Sequence, residues 1–370
     1  MSEGKVRVVA WEPLKAFTKE VFIRAGVPKD AAEAEASALI WANLRAVDSH
    51  GVLRIPWYID NIDKGVMNTN PNIQTIKETP ATLLVDADHA MGPVVTIKVV
   101  NRVVEKAKKV GICWAVIKNV THQGALGFYS QMMAERDMAG IVFVCSPPNM
   151  APFGSKAPGV HNSPIAISVP AKRHRPLNLD MATSVVAGGK LWLAVDKGVP
   201  IPEGWALDKE GSPCTDPRNS GALLTFGGPK GSGLAMMFEC LSSVMAGNAL
   251  LEPALHGREG SQRVESQGKN ADKVRLSYLP RRHVQNSVVA ALDIATFTDV
   301  ESYKETISSL IEGIKGLPKA EGFEEIFVPG EPEERTFMER SQKGIPLPEG
   351  TWSKLCAISE RFDVALPAES

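Results

Sequence analysis

The sequence predicts an α/β protein that carries an additional helical unit, and three observations support this fold class. Over residues 11 to 66, apolar side chains recur at three- and four-residue intervals, which is typical of amphipathic helices. From about residue 72, short apolar runs alternate with helix-length amphipathic segments, which indicates strands and helices packed in layers. No G-x-G-x-x-G sequence occurs in the chain, so an ordinary Rossmann dinucleotide site has no support.

The helical unit is predicted to contain three helices near the N-terminus. The first ends at Gly26, the second extends to about residue 46, and the third covers 56–65. Residues 351–362 predict a final helix with an apolar inner face. We expect this last helix to pack on the first three, which would build the helical unit from both ends of the chain.

The rest of the chain supplies the α/β part. Strands are predicted at 73–76, 82–85, 112–117, 141–145, 164–169, 177–180, 223–225 and 288–294, and helices at 94–110, 124–136, 184–195, 231–246 and 302–314. We expect a long exposed loop at 254–276 and an extended tail from 327 onward. The expected domains are 1–75 (helical), 76–325 (α/β) and 326–370 (a tail and helix that return to the helical domain).

Composition excludes several classes of protein. The 370 residues carry 41 basic and 42 acidic side chains, a formal net charge of −1, which provides no electrostatic footprint for nucleic acid or an anionic membrane. No apolar run approaches the roughly 20 residues needed to cross a bilayer. The five cysteines are widely spaced and the N-terminus lacks a signal-peptide pattern, so we expect a cytoplasmic protein without disulfides.

The segment at 48–54 combines three chemically useful side chains. Ser49 can form hydrogen bonds, His50 can transfer a proton near neutral pH, and Arg54 can form a two-pronged contact with a carboxylate. Reduction of a 2-keto acid needs such a proton source and such a fixed cation. Taken alone the segment is a weak signal, because most Ser-His pairs are ordinary surface or core residues.

A second segment, 121–129, follows a predicted strand and leads into a helix. His122 lies at the carboxyl end of that strand, where ligands usually bind in open α/β sheets. The following Gly124 lets the backbone approach a ligand, and the amides of the helix start favour an anion such as a phosphate. A glycine-containing turn with a capping histidine is the alternative.

Two further segments have the residue types of a nucleotide site. Asp180 ends a predicted strand and can orient a histidine or accept a hydrogen bond from a ribose hydroxyl. Lys230 lies in a glycine-rich turn before a helix and can hold a pyrophosphate, although the spacing is not that of a P-loop. Simple helix capping is the alternative for both. The seven histidines show no metal-ligand spacing, so no metal site is expected.

Taken together, these segments resemble the type-2 malate/L-lactate dehydrogenase family, which is unrelated to the Rossmann-type enzymes. The resemblance extends in order over nearly the whole chain. It includes Asp48-Ser-His-Gly-Val-x-Arg54, His122-x-Gly-Ala-x-Gly127, Asn162-x-Pro164, Asp180-Met-Ala-Thr-Ser184, Pro202-Glu-Gly-Trp-Ala-Leu-Asp208, Lys230-Gly-x-Gly233, Pro329-Gly-Glu331 and Gly344-Ile-Pro346.

The resemblance implies an NAD- or NADP-dependent oxidoreductase, usually a homodimer, with a non-Rossmann mixed-sheet cofactor domain beside the helical domain. It implies a small carboxylated substrate and a catalytic group formed by His50, Ser49, His122 and Asp180. The implied substrate contacts are Arg54, Ser146, Asn162 and Arg282. The implied cofactor contacts are His122, Gly124, Ala125, Leu126, Asp180, Met181, Ala182, Lys230, Gly330 and Glu331.

Several alternatives stay open at this stage. The favoured activity is oxidation of a 2-hydroxy acid of malate or lactate type, with His50 as the proton donor in the reverse direction. A cyclic imino-acid reductase, a ureidoglycolate or sulfolactate dehydrogenase, a diketogulonate reductase and a catalytically silent ligand-binding protein are the other readings. His122 is the alternative acid/base. The chain departs from the family pattern at His161, Ser163, Pro229, Gln285 and Asn286, which leaves the substrate undecided.

Overall fold

The computed structural model describes residues 6–257 and 284–369. Its helices are α1 Trp11–Arg24, α2 Lys29–Leu44, α3 Ile55–Asp63, α4 Gly92–Val110, α5 Gly127–Ala134, α6 Gly188–Lys197, α7 Pro229–Glu239, α8 Leu251–Leu255, α9 Val300–Lys315, α10 Glu331–Lys343 and α11 Glu349–Phe362. Its strands are β1 Val6–Val9, β2 Gln74–Glu78, β3 Thr82–Asp86, β4 Ile112–Val120, β5 Met138–Cys145, β6 Ile165–Val169, β7 Leu177–Met181, β8 Ala206–Asp208, β9 Pro213–Cys214, β10 Ser220–Leu223, β11 Gln285–Asp293 and β12 Ile345–Pro348. Two 3-10 turns, Asp48–His50 and Val52–Arg54, connect α2 to α3.

A seven-stranded mixed sheet forms the centre of the molecule. Its order is β2-β3-β4-β11-β5-β6-β7, with β3 and β4 parallel and every other neighbouring pair antiparallel. The central strand β11 pairs with both β4 and β5 over most of its length, although it is far from them in sequence. The predicted α/β class with a mixed sheet is therefore confirmed.

Both faces of the sheet are covered by helices. Along α4 the residues Val95, Val99 and Val103 recur at helical spacing and are buried against the sheet. On the opposite face Phe238 of α7 stacks on Phe143 of β5, with ring centroids 4.5 Å apart. Because both faces are buried, the middle of the central strand β11 is a continuous apolar run, Val288 to Leu292, without alternating polar residues.

A separate core is shared by the two ends of the chain. Leu14 of α1, Leu39 of α2 and Ile59 of α3 lie in one buried cluster with Leu355 and Ile358 of α11. Strand β1 also pairs antiparallel with β12. The expected helical part built from both chain ends is thus present, while the domain boundaries at 75 and 325 stay predictions.

One predicted element is wrong. We expected an extended tail after 327, but residues 331–343 form α10. Gly330, with φ +85°, begins this helix, and Pro332 lies in its first turn, where no intrahelical amide bond is lost. Acidic residues in the first turn and basic residues in the last turn match the helix dipole. The high charge of the segment obscured these signals.

Other differences are smaller. The helix predicted from 184 begins at Gly188, the helix predicted from 124 begins at Gly127, and β1 was not predicted. Residues 258–276 of the expected loop, and Arg282, lie outside the described residues. Within residues 6–257 and 284–369, no helix has the length and apolar character needed to span a membrane.

Candidate active site

A cleft of 1470 Å³ lies between the helical part and the sheet. Residues of the turn at 48–54, the loop between β4 and α5, the end of β7 and the starts of α6 and α10 line it. These elements come from five separate parts of the sequence. The fold therefore brings together segments that the sequence analysis had treated one at a time.

The turn at 48–54 is held rigidly from two sides. Asn43 of α2 donates from Nδ2 to the Asp48 carboxylate at 2.7 Å. Arg340 of α10 donates to the two oxygens of the same carboxylate, at 2.7 and 3.1 Å. A Cβ at Gly51 would lie 2.2 Å from Oδ1 of Asn43, so only glycine fits at this point of the turn. Asp48 and Gly51 therefore act in positioning the side chains that follow.

Arg54 is a buried cation that faces the cleft. Its side chain is 5% exposed, its Nε donates to the Ser49 carbonyl at 2.7 Å, and its guanidinium lies 4.1 Å from the ring centroid of Trp192 and 5.3 Å from that of Trp57. No carboxylate of the described residues forms an ion pair with it. Burial lowers the pKa of Arg54 to about 10, so it stays charged at neutral pH. A buried charge without a partner is costly, which indicates a site for an anionic ligand.

His50 lies beside this cation and is neutral at neutral pH. Its Nδ1 is 2.9 Å from the Ser49 hydroxyl. Burial, and then the charge of Arg54, lower the pKa of His50 from 6.5 to about 3. His50, the expected proton donor, is therefore not an imidazolium at neutral pH unless its burial or the nearby charge of Arg54 is altered.

His122 stacks on His50, with ring centroids 5.4 Å apart and an interplanar angle of 15°. The hydroxyl of Tyr58, on α3, is 2.6 Å from Nδ1 of His122. Burial raises the pKa of Tyr58 well above 10, so its hydroxyl keeps its proton and forms a hydrogen bond with this nitrogen. The two histidines, 72 positions apart in sequence, thus form one pair.

Asp180 has a different neighbour from the one we expected. Its Oδ2 accepts a hydrogen bond of 2.7 Å from the Gly127 amide at the start of α5. The sequence suggested that the first amides of this helix bind a ligand anion, but this one binds a carboxylate of the protein itself. Burial raises the pKa of Asp180 to about 6, and the hydrogen bonds from the Gly127 and Leu126 amides oppose that rise.

The structure places most other predicted contacts in the same cleft. The residues that line it are Gly124, Ala125, Leu126, Asn162, Met181, Ala182 and Gly330. Three others do not line it: Ser146 is buried and donates to the Val284 carbonyl at 3.0 Å, Lys230 is exposed at the start of α7, and Glu331 binds Lys315 at 2.6 Å. Arg282 lies outside the described residues.

Several residues of the site were missed by sequence reasoning. Tyr58 lies four positions after Arg54, one helical turn away, and that spacing was an available signal. Trp57 and Trp192 enclose the guanidinium of Arg54, but nothing in the sequence connects residue 192 with residue 54. Gly189 of α6 lies against the same guanidinium, since a Cβ there would be 3.0 Å from an Nη of Arg54, and this contact is created only by the fold.

The site thus defines an enzyme-like cleft with a buried cation and a pair of histidines, and comparison with known proteins gives the class. The family model for malate/L-lactate dehydrogenase matches residues 9–356. The chain is 36% identical to L-sulfolactate dehydrogenase of Methanocaldococcus jannaschii, over 92% of each chain. It is 35% identical to malate dehydrogenase of Pyrococcus horikoshii, over 98% of each chain. A solved structure of malate dehydrogenase from Pyrococcus horikoshii OT3 matches with a TM-score of 0.83 and 33% identity, over 97% of each chain.

The chain belongs to the malate/L-lactate dehydrogenase family. It is accordingly an oxidoreductase that uses a nicotinamide cofactor and acts on 2-hydroxy acids. The cleft is large enough for a nicotinamide cofactor. Its volume of 1470 Å³ exceeds the roughly 300–1000 Å³ of ordinary small-molecule sites, which leaves room for a dinucleotide and a small acid together. Residues 180–182 and Gly330 lie in its lining and would hold the dinucleotide.

Gly189 offers a test of the geometry around Arg54. A Cβ at this position would lie 2.6 Å from the Ser49 Cβ and 3.0 Å from an Nη of Arg54. A Cβ at Gly188 would have an ordinary van der Waals contact, 3.7 Å from Cδ1 of Leu223. We expect Gly189→Ala to displace both side chains and to lower kcat/KM for the acid by about 10²-fold. Gly188→Ala is the matched control and should stay near the wild-type value. Steady-state kinetics of both variants checks this, and equal effects would contradict the placement of Arg54.

Proposed function

We propose that the chain catalyses reversible hydride transfer between a nicotinamide cofactor and carbon 2 of a small 2-hydroxy acid of malate or lactate type. His50 acts as the acid/base and Arg54 binds the substrate carboxylate. The observation that carries this proposal is the buried guanidinium of Arg54, which has no acidic partner among the described residues and lies beside His50.

Arg54 suits a carboxylate for geometric reasons. The two tryptophan rings hold its planar group in one orientation, and its Nε is already used by the Ser49 carbonyl. The remaining donors can form a two-pronged contact with a carboxylate. This contact would fix the acid group of the substrate, and with it carbon 2, close to the imidazole of His50.

The carboxylate would also change the proton affinity of His50. One of the two causes that lower the pKa of His50 is the charge of Arg54. A bound carboxylate offsets that charge, so binding raises the pKa of His50 towards the range in which it exchanges a proton. His50 would thus reach a pKa suitable for proton exchange only when a carboxylated substrate is bound.

The reaction balances with these groups. When bound, the nicotinamide accepts or returns a hydride. In the oxidising direction the hydroxyl O–H bond of the substrate breaks and its proton moves to His50. The C2–H bond breaks as the carbonyl forms, and its hydrogen departs with the electron pair as the hydride that a bound nicotinamide would accept. Ser49 holds Nδ1 of His50, which leaves Nε2 as the nitrogen that faces the proton.

A panel of substrates tests the proposed function. Pyruvate, oxaloacetate, sulfopyruvate, a diketo sugar acid and a cyclic imino acid are each incubated with NADH and with NADPH, and loss of the reduced-nicotinamide absorbance is followed. We expect turnover of at least one 2-keto acid, at a rate above that of the cyclic imine. Turnover of the imine alone would replace the proposal with imino-acid reduction, and the faster of the two cofactors decides the NAD or NADP preference.

Replacement of each histidine separates their roles. His50→Ala is expected to lower kcat by ~10²–10⁴-fold with little effect on dinucleotide binding, because proton transfer by a positioned side chain contributes about that much. His122→Ala is expected to lower it less. His174→Ala is the control, since His174 lies away from the cleft beside Glu312. Full activity of His50→Ala together with an inactive His122→Ala would move the acid/base role to His122.

We also propose that two copies of the chain pair through the helical segment 229–245. Five apolar side chains on this segment, each between 37% and 60% exposed, recur at helical spacing: Met236, Met237, Leu241, Val244 and Met245. A contiguous exposed apolar face of this kind is typical of a protein interface. The homodimer implied by the family resemblance gives a second copy as its occupant.

Light scattering coupled to size-exclusion chromatography tests the pairing. We expect the wild type to elute as a dimer and the double variant Met237→Glu/Val244→Glu to elute as a monomer, because two buried charges in each copy would face each other. Leu310→Glu is the control, since Leu310 is exposed on α9 outside this segment. A monomeric wild type, or a double variant that stays dimeric, would contradict the proposed interface.

A further inference from the structure

Helix α6 has two different faces, and both are in contact with the rest of the molecule. On one face, Leu191 and Ala194 are buried in an apolar cluster that also contains residues of β8 and β10. On the other face, three residues recur at three- and four-residue spacing: Gly189, Trp192 and Asp196. This second face contacts the turn that carries Arg54 and helix α11, so α6 lies between the α/β part and the helical part.

Trp192 forms one wall of the pocket around Arg54. The centroid of its ring lies 4.1 Å from the guanidinium carbon and 5.9 Å from the ring centroid of Trp57. The residue is nevertheless 48% exposed, so burial alone does not fix its ring. The position of this ring over the guanidinium therefore depends on where α6 itself lies.

One helical turn after Trp192, Asp196 joins α6 to the start of α11. Its side chain is 2% exposed. Oδ1 accepts from Nζ of Lys354 at 2.8 Å, and Oδ2 accepts from the Thr351 hydroxyl at 3.1 Å. Both carboxylate oxygens are thus bound to one helix of the helical part, which holds this end of α6 at two points.

The backbone at the start of α11 leaves room for this carboxylate. A Cβ at Gly350 would lie 2.4 Å from Oδ1 and 2.7 Å from Cγ of Asp196. Because the carboxylate is buried and bound through both oxygens, it cannot move aside without breaking these contacts. Alanine is normally favoured over glycine in a helix, so the glycine at this position matches the close approach of Asp196.

We propose that Asp196 is a positioning residue that keeps Trp192 over the guanidinium of Arg54 and so determines how tightly the site binds a carboxylate. The bonds to α11 fix the helix, and the helix fixes the ring. The ring then keeps the guanidinium in the orientation that a two-pronged contact requires. The consequence for the acid rests on the proposed function, whereas the placement of Trp192 does not.

Fluorine NMR of protein labelled with 5-fluorotryptophan tests the placement of Trp192 without any ligand. The signals of Trp192 and of Trp114, which lies in the central sheet, are assigned by their loss in Trp192→Phe and Trp114→Phe. We expect the Trp192 signal to shift in Asp196→Ala, which removes both contacts, and in Gly350→Ala, which forces the carboxylate away from α11. The Trp114 signal should stay in place. An unchanged Trp192 signal in either folded variant would overturn the proposal.

Calorimetric binding of oxalate tests the consequence for the acid. We expect the Kd of oxalate to rise about tenfold in Asp196→Ala, which is within the range that one cation–π contact contributes. Asp196→Asn keeps the size of the side chain and an acceptor for the Thr351 hydroxyl, so it should restore most of the affinity. Equal affinity of the wild type and Asp196→Ala would overturn the proposal.

The same experiment distinguishes this proposal from the proposed function. A wild type that does not bind oxalate would contradict the role of Arg54 as the carboxylate site. The position of the Trp192 signal then decides the role of Asp196 by itself. If Asp196→Ala does not fold, Gly350→Ala takes its place in both measurements, because it displaces the same carboxylate from the side of α11.

Steady-state kinetics separates positioning from a general loss of structure. In Asp196→Ala the KM for the keto acid should rise about tenfold while the KM for the dinucleotide stays near the wild-type value, because the loss is confined to binding of the acid. A lower kcat with both KM values unchanged would indicate only a smaller folded fraction and would contradict the proposal.

Gly313→Ala is the matched control for Gly350→Ala. Gly313 also lies inside a helix, but a Cβ there would meet nothing within 4 Å. This control should keep the wild-type affinity for oxalate and the wild-type Trp192 signal. Equal changes in the two alanine variants would show that the effect does not depend on the contact with Asp196, and would overturn the proposal.

Discussion

The site depends on one interaction, the burial of the Arg54 guanidinium against the Ser49 carbonyl and the rings of Trp57 and Trp192. Burying a cation without a carboxylate costs stability, and an anionic ligand that pairs with the cation would offset that cost. Two other features of the site depend on this guanidinium. Residue 189 is a glycine because α6 approaches Arg54 closely, and the turn at 48–54 is fixed because His50 must lie beside the cation.

The protonation state of the histidine in the cleft also depends on Arg54. Burial, and then the charge of Arg54, lower the pKa of His50 to about 3, so the imidazole is neutral at neutral pH. Arg54 is then the main charge near the histidine pair. A carboxylated ligand would offset the charge of Arg54 and so raise the pKa of His50, which gives the site a physical reason to respond to an acid and not to a neutral alcohol.

Much of the fold and the outline of the site were predictable from sequence. Apolar spacing gave the helices and strands, and ordered motifs gave Ser49, His50, Arg54 and His122, which do meet in the cleft. Sequence could not give Tyr58 its partner, since a hydrogen bond over 64 positions depends on the tertiary fold. Helix α10 was missed because few apolar residues mark it, and the Gly127 amide was expected to be open because the partner Asp180 lies 53 positions away.

The central claim is that a carboxylate on Arg54 makes His50 take up a proton. Isothermal titration calorimetry with oxalate, a carboxylate that cannot be reduced, in buffers of different ionisation enthalpy at pH 5.5, measures this directly. The account predicts net proton uptake on binding in the wild type and none in His50→Ala. Binding without proton uptake, or the same uptake in both proteins, would contradict it.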